Sequence, residues 1–237
     1  SDSEAAALAA AFSEKNFDHK AIDGKELQKL CKKAVNFSHD GLDIALFGRM
    51  VASAPDMDVE AAASFAHAIS THKVTTEVDF FTSVDDCCPI GSGHMGTIEF
   101  NSATYYRYIS LDLGQLCKNL KSDDMSSAIA AFVKALFVAV PAARQATMAA
   151  ACPWDYAKII VRKGQRVQMP FNSAVKTSKE YPDLISASKA ELLKQLTEKE
   201  TMYGSMYGKL AEFTIGMDTQ TSIDDVVNGL QESIMNI

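Results

Sequence analysis

Residues 74–113 read VTTEVDFFTSVDDCCPIGSGHMGTIEFNSATYYRYISLDL, and the way this stretch divides decides the fold. Two β-prone pieces, DFFTSV (79–84) and MGTIEF (95–100), flank Asp85 to His94, where Cys87, Cys88, Pro89, Gly91 and Gly93 crowd together. Apolar pieces on either side of a Gly- and Pro-containing segment predict a long hairpin with a flexible tip, an excursion from the core between Thr75 and Ser102. From Thr104 the period is two. Tyr105, Arg107, Ile109, Leu111 and Leu113 alternate with Thr104, Tyr106, Tyr108, Ser110 and Asp112, as in a strand that shows one face to a core.

On the amino-terminal side, Leu42, Ile44 and Leu46 alternate with Asp43, Ala45 and Phe47, which predicts a strand from Gly41 that Gly48 ends. Arg49 and Met50 then fall where a strand hands over to a loop, a common position for ligand contacts. Residues 59–72 carry alanines that favour helix, but Phe65, His67, Ile69 and Thr71 alternate, and the segment reads as strand from Phe65 onward. Residues 1–16 read as one helix. A second follows Gly24, with Leu27, Leu30, Cys31, Ala34 and Val35 on one face and Lys25, Lys29, Lys32 and Lys33 on the other.

On the carboxyl-terminal side, Ile129, Phe132, Val133, Leu136, Phe137 and Val140 give residues 126–140 the spacing of an amphipathic helix, and Pro141 stops it. Arg144 to Val161 reads as one or two strands, Lys163-Gly164-Gln165 as a turn, and residues 186–200 and 222–235 as closing helices, the last with Ser222 as its N-cap. Strands with helices on one face make an α+β sheet, and a ferredoxin-like or RNA-recognition-motif-like core is the natural expectation.

The chain has 237 residues, 47% hydrophobic and 22% charged, a globular composition with enough apolar mass for a core. No apolar run reaches the length of about 18 residues that a membrane span needs, and no signal-peptide plan opens the chain. Five scattered cysteines without C-x-x-C spacing fit a reducing cytosol, so the expected location is cytoplasmic, with no membrane partner. The net charge of −7 argues against a protein that coats nucleic acid everywhere. The distribution is uneven: residues 41–118 hold four Lys/Arg against ten Asp/Glu, whereas residues 141–176 hold six (Arg144, Lys158, Arg162, Lys163, Arg166, Lys176) against Asp155 alone. Such a basic strip fits a solvated hairpin as well as a phosphate contact.

Catalytic patterns fail on spacing. His67 and His72 are five apart and lack the glutamate of a zinc-protease helix, and Cys87-Cys88 near His94 lacks a fourth ligand. GSGHMG lacks the lysine of a phosphate-binding loop, and no G-x-S-x-G elbow occurs. Neither a metal nor a cofactor is expected. Asp85 and Asp86 at the hairpin tip could support metal-assisted chemistry, or be merely solvated. Recognition of single-stranded RNA asks instead for apolar and aromatic side chains that stack on or wedge between bases, with scattered donors. Met50, Phe81, Val84 and Met95, at a strand exit or on the hairpin, and Tyr106 and Tyr108, on the polar face of a strand, are of that kind.

The same residues carry a family likeness. GLDIALFGRM, AHAISTHKV, FFTSVDD, HMGTIEFNS with YYRY and LDLGQL, and VPAARQ, in order from about Gly41 to Ala151, resemble the CasC family, the repeated backbone subunit of the type I-E CRISPR surveillance complex Cascade. The resemblance implies a palm of the RNA-recognition-motif type (residues 41–73 and 103–237), helical fingers of which residues 1–40 are the remnant, and a thumb hairpin over residues 74–102. It implies several copies lined along one CRISPR RNA beside other Cascade subunits, each thumb displacing a base so that the rest of the guide can pair with target DNA. Met50, Phe81, Thr82 and Val84 match family positions that meet the displaced base and its neighbours, and Met95 matches an apolar thumb position. Arg49, Arg107, Arg144 and Gln145 match less closely, as backbone contacts or palm-fixing residues. The palm strand, basic loop and first helix that open family members are not recognisable before Ser1, so the chain reads as a piece of a longer protein with its first strand lacking. The expected function is a non-catalytic RNA-binding scaffold. The rivals are a metal-dependent ribonuclease using Asp85 or Asp86, as in related type III subunits, and a protein–protein module without nucleic acid.

Overall fold

A computed structural model of the chain describes residues 2–18, 20, 24–34, 41–52, 55–83, 85–87, 91, 93–120, 124–139, 142, 146, 149 and 151–235. It is α+β, with helices α1 (Asp2–Ser13), α2 (Gly24–Ala34) and α3 (Leu42–Phe47), then strands β1 (Ala63–Phe65), β2 (Ile69–Ser70), β3 (Glu77–Ser83), β4 (His94–Phe100), β5 (Tyr105–Tyr106) and β6 (Ile109–Leu111). Helices α4 (Leu113–Asn119) and α5 (Met125–Val138), strand β7 (Tyr156–Arg162), helix α6 (Leu184–Tyr203), strand β8 (Lys209–Gly216) and helix α7 (Ile223–Met235) complete the order. The strands pair antiparallel two by two, β1 with β6, β2 with β5, β3 with β4 and β7 with β8. The chain divides into two compact units, residues 1–65, 109–164 and 208–237 in the first, and residues 66–108 and 165–207 in the second. No described helix is long and apolar enough to cross a membrane.

The first unit holds the apolar core. Alternation on the β7–β8 ribbon puts Ala157, Ile159, Val161, Ala211, Phe213 and Ile215 on the face that meets Ile129, Phe132 and Val133 of α5 and Val226, Val227 and Leu230 of α7. Close approach of α7 to β8 depends on Gly229, where a Cβ would lie 2.4 Å from the Phe213 ring. Ser222 caps α7 as its position before the apolar run predicts: its Oγ accepts from Asp225 N–H at 3.1 Å, while Asp225 Oδ2 accepts from Ser222 N–H at 2.8 Å. The outer face of the ribbon carries Lys158, bonded to Glu212 and to Thr214 Oγ1, with Lys209 on the other oxygen of Glu212. One cation of the basic strip is therefore engaged within the fold.

Three strand expectations are corrected. Leu42 to Phe47 is helix, because the residues that bury there are Ala45 and Leu46, with Leu42 half-buried one turn earlier, a spacing of three and four rather than two. The strand expected from Thr104 to Leu113 is interrupted at Arg107–Tyr108, and Leu113 opens α4 because Asp112 Oδ1 accepts the Gln115 N–H at 2.9 Å and caps it. Between Arg144 and Val161 the described strand begins only at Tyr156, and β8, whose Lys-Leu-Ala-Glu-Phe-Thr-Ile-Gly has a legible alternation, was not expected.

The Lys158 ammonium, hydrogen-bonded to Glu212, outweighs partial burial and, helped by Lys209, holds that carboxyl below its ordinary value of 4.5. A lowered folded-state pKa gives stability that is present above the unfolded pKa and is lost as pH falls through the folded one. Glu212→Gln is therefore expected to reduce stability at neutral pH by on the order of 0.5–1 kcal/mol, the ion pair being partly exposed. In denaturant titrations the difference from wild type should close as the pH drops below about 4.5.

Candidate nucleic-acid interface

The second unit is built around a ribbon that reaches away from its packing. Strands β3 and β4 pair in full register from Glu77↔Phe100 to Ser83↔His94. Directly opposed residues share a face, so Val78, Phe80, Thr82, Met95, Thr97 and Glu99 lie on one side and Asp79, Phe81, Ser83, His94, Gly96, Ile98 and Phe100 on the other. Val78, Phe80 and Met95 are each 60% exposed or more, and Phe81 is 37% exposed. Both faces thus offer apolar side chains to solvent, which for a ribbon of this size signals a contact surface rather than a core.

On one face Phe81 lies across the ladder. Its ring carbons sit 3.1 Å from where a Cβ on Gly96 would be, and its centroid is 5.6 Å from that of His94. The absence of a side chain at Gly96 leaves room for that ring. Near the tip, Gly93 N–H donates to Ser83 O at 3.2 Å and Asp85 Oδ1 accepts from Cys87 N–H at 2.9 Å. Between Glu77 and Phe100 the sequence has five acids, Glu77, Asp79, Asp85, Asp86 and Glu99, and no Lys or Arg. The ribbon is chemically fitted to stack on or wedge between flat apolar groups, and unfitted to bind phosphate.

The base of the ribbon is clamped. Thr71 N–H and its Oγ1 both donate to Thr104 O, at 3.0 and 3.2 Å, and Val175 N–H donates to Thr71 O at 2.9 Å. The buried Thr71 hydroxyl also meets Ser188 Oγ of α6 at 2.7 Å. Thr104 N–H donates to His72 Nε2 at 3.0 Å, which leaves the ring proton on Nδ1, 3.0 Å from Lys73 O. His72, weighed in the sequence as a metal ligand, is thus a peg between the strand that leaves for the ribbon and the one that returns. Among the described residues no three His, Cys, Asp or Glu groups are placed to hold a metal ion.

Of the residues expected to contact RNA, Phe81, Thr82, Met95 and Arg107 fall in the second unit and Arg49 and Met50 in the first. Thr82 and Met95 are cross-strand partners, with Phe81 on the opposite face. Met50 is 83% exposed beside α3. Arg49 is engaged internally: Nε donates to Met57 O at 3.0 Å and Nη1 to both oxygens of Glu4 at 3.1 and 3.2 Å. Burial alone would raise the Glu4 carboxyl, but donated hydrogen bonds and positive charge, those of Arg49 among them, outweigh it and hold Glu4 below its ordinary value. Arg49 is thus held on α1 and on the segment around Met57. Arg107 is exposed between β5 and β6. Val84, Arg144 and Gln145 lie outside the described residues.

Tyr106 and Tyr108 hold protein rather than standing open. Their hydroxyls accept from Met169 N–H at 3.2 Å and Val167 N–H at 3.3 Å, and the Tyr106 ring packs on Phe171 at 5.0 Å. Burial pushes the Tyr106 phenol up from its ordinary value. The sequence reading overlooked Val78 and Phe80. They share the Met95 face, a fact that follows only once the register Thr82↔Met95 is known.

The chain belongs to the CT1975-like protein family, whose model matches residues 1–234. Among solved structures it is similar to a chain of a pre-nicking CRISPR RNA-guided surveillance complex, at 25% identity and a TM-score of 0.71, over 89% of this chain. It spans 58% of that relative's length. A second chain, from a CRISPR RNA-guided surveillance complex, shares the fold at 24% identity and a TM-score of 0.64, with 99% of this chain and 85% of that one covered. No curated protein matches in sequence. Family and fold together make this a CRISPR-associated protein of the Cascade type.

Replacing the His72 acceptor should loosen the ribbon from its base. His72→Leu is expected to speed hydrogen exchange at the Thr104 amide by roughly 10-fold or more while leaving α7 unchanged, since a buried donor left without an acceptor costs about 1–3 kcal/mol. His72→Gln, whose Oε1 can take the same bond, should restore most of the protection.

Proposed function

We propose that the chain is a non-catalytic RNA-binding scaffold subunit of a type I-E CRISPR surveillance complex, of the CasC kind. Copies of it polymerise along CRISPR RNA beside the other Cascade subunits. The ribbon β3–β4 presses on the guide and displaces a base at intervals, leaving the intervening bases free to pair with target DNA. The observation that carries this reading is a ribbon that exposes apolar side chains on both faces and has no Lys or Arg, in a chain whose family and fold are of the Cascade type. A wedge of that composition works by stacking and exclusion, which needs neither a nucleophile nor a metal. Phosphate neutralisation then falls to cations off the ribbon, Arg107 among them, or to neighbouring subunits.

The test is binding of the chain to a labelled CRISPR-type single-stranded RNA over a salt series. Met50→Ala and Phe81→Ala are each expected to weaken binding by about 1–3 kcal/mol, roughly 5- to 150-fold, the range for loss of one stacking side chain. Arg107→Ala should weaken it and flatten the salt dependence. Failure of the correctly folded chain to bind RNA at low salt overturns the scaffold reading. Cleavage of guide-matched RNA by the assembled complex with magnesium, abolished by Asp85→Ala or Asp86→Ala, overturns its non-catalytic part.

A further inference from the structure

The fold divides the basic strip of the sequence. Lys158 is engaged by Glu212 in the first unit, whereas Arg166 and Lys176 fall in the second, on a segment over residues 165–179 that has no helix or strand. Val167, Met169, Phe171 and Val175 of this segment are buried or half-buried. Val167 N–H and Met169 N–H donate to the Tyr108 and Tyr106 hydroxyls, the Phe171 ring packs on that of Tyr106, and Val175 N–H donates to Thr71 O. Phe171 takes φ +46°, a conformation that costs any residue but glycine. These anchors fix the course of the segment and leave its polar side chains to solvent.

The second unit is divided by charge. The ribbon has five acids and no Lys or Arg, whereas the three segments at its foot, residues 66–76, 101–108 and 165–179, hold five Lys/Arg and no acid. Lys73, Arg166, Lys176 and Lys179 are exposed, and their side chains have no ion-pair or hydrogen-bond partner among the described residues. The Val175–Thr71 bond brings the backbone of the residue before Lys176 to that of the residue two before Lys73. Gln168 and Asn172, exposed between Arg166 and Lys176, add neutral amide donors. Acids beyond the segment are already engaged: the Tyr181 hydroxyl bonds Glu180, Asp183 caps α6 at Ser186 N–H, and Glu191 meets Lys194 and Gln195. At about 3.3 Å per residue the seven-residue strands of the ribbon are about 20 Å long, so a polynucleotide laid along it reaches the foot.

We propose that residues 165–179, with Lys73 beside them, bind the phosphodiester backbone of the single-stranded RNA whose bases meet the ribbon. Arg166 and Lys176 neutralise phosphates, and Gln168 and Asn172 donate to their oxygens. The assignment rests on the RNA-binding reading and adds the cation site that the ribbon lacks. Its test measures binding of the full chain to labelled single-stranded RNA, and to an abasic ribose-phosphate oligomer of the same length, over a salt series. Arg166→Ala and Lys176→Ala, both at exposed positions, should each weaken RNA binding about 5-fold at 0.1 M salt and lower the salt slope by about 0.7, the value for one phosphate contact on a single strand. Both should weaken the abasic oligomer equally, whereas Phe81→Ala should weaken only the RNA and leave the slope unchanged. Lys176→Arg should keep the affinity, and Lys118→Ala, at an exposed cation of α4, should change nothing. A chain that binds no RNA overturns the scaffold reading and this site with it. RNA binding whose slope is the same in wild type, Arg166→Ala and Lys176→Ala overturns the site alone. So does a loss confined to self-association in sedimentation without RNA, which would give the cations to the acidic ribbon of a second copy.

Discussion

One buried amide ties the first unit together. Asn119, the last residue of α4, donates through Nδ2 to Ala45 O at 2.9 Å and to Glu60 O at 2.8 Å, and accepts at Oδ1 from Gln115 Nε2 at 3.0 Å. A helix leaves its last carbonyls without partners. In the short α3 these are met by Asn119 at Ala45 and by Gly48 N–H at Ile44, 2.9 Å away. The same side chain fixes the approach to β1 through Glu60, so the helix before Arg49 and the strand after it are positioned by one residue distant in sequence. Loss of that amide would strand two carbonyls away from water, at about 1–3 kcal/mol each. Phe47 and Met50, both exposed, stand on the segment that it holds.

In the second unit the comparable task falls to small polar groups. Thr71 joins the strand that returns from the ribbon, the segment around Val175, and α6 through Ser188. Met169 and Tyr207 are the larger buried residues there. The core is small. Its order rests on hydrogen bonds placed where the ribbon attaches, which frees the ribbon itself from any packing duty.

The ribbon was legible in the sequence because its signals are local: β-prone pieces, a cluster of Gly and Pro, and enough residues between them. The helices over 126–140, 186–200 and 222–235 were legible for the same reason, their apolar period being sustained over several turns. What failed was short. LDIALF alternates as a strand would, yet its buried pair Ala45-Leu46 belongs to a helix whose carbonyls are satisfied from Asn119, 74 residues away. LDLGQL looked like the end of a strand because Asp112 was counted as a polar outward residue, when it is the cap of α4. Likewise the role of Tyr106 and Tyr108 depended on a segment some 60 residues later, and the engagement of Arg49 on Glu4, 45 residues earlier. Propensity and period cannot see such partners.

The likeness of the ribbon's two faces has a consequence for how it reaches its register. In most hairpins a slip by one residue turns the apolar face outward, and burial corrects the error. Here both faces mix apolar with polar side chains and both are largely exposed, so a slipped ladder would lose almost no burial. The register must be set from the two ends, by the Gly93–Ser83 bond near the tip and the Thr71–His72–Thr104 clamp at the base, and by cross-strand marks such as Phe81 lying over Gly96. Between those points the side chains are nearly silent in folding. They are the positions at which the grip of such a ribbon can be altered without disturbing the protein that carries it.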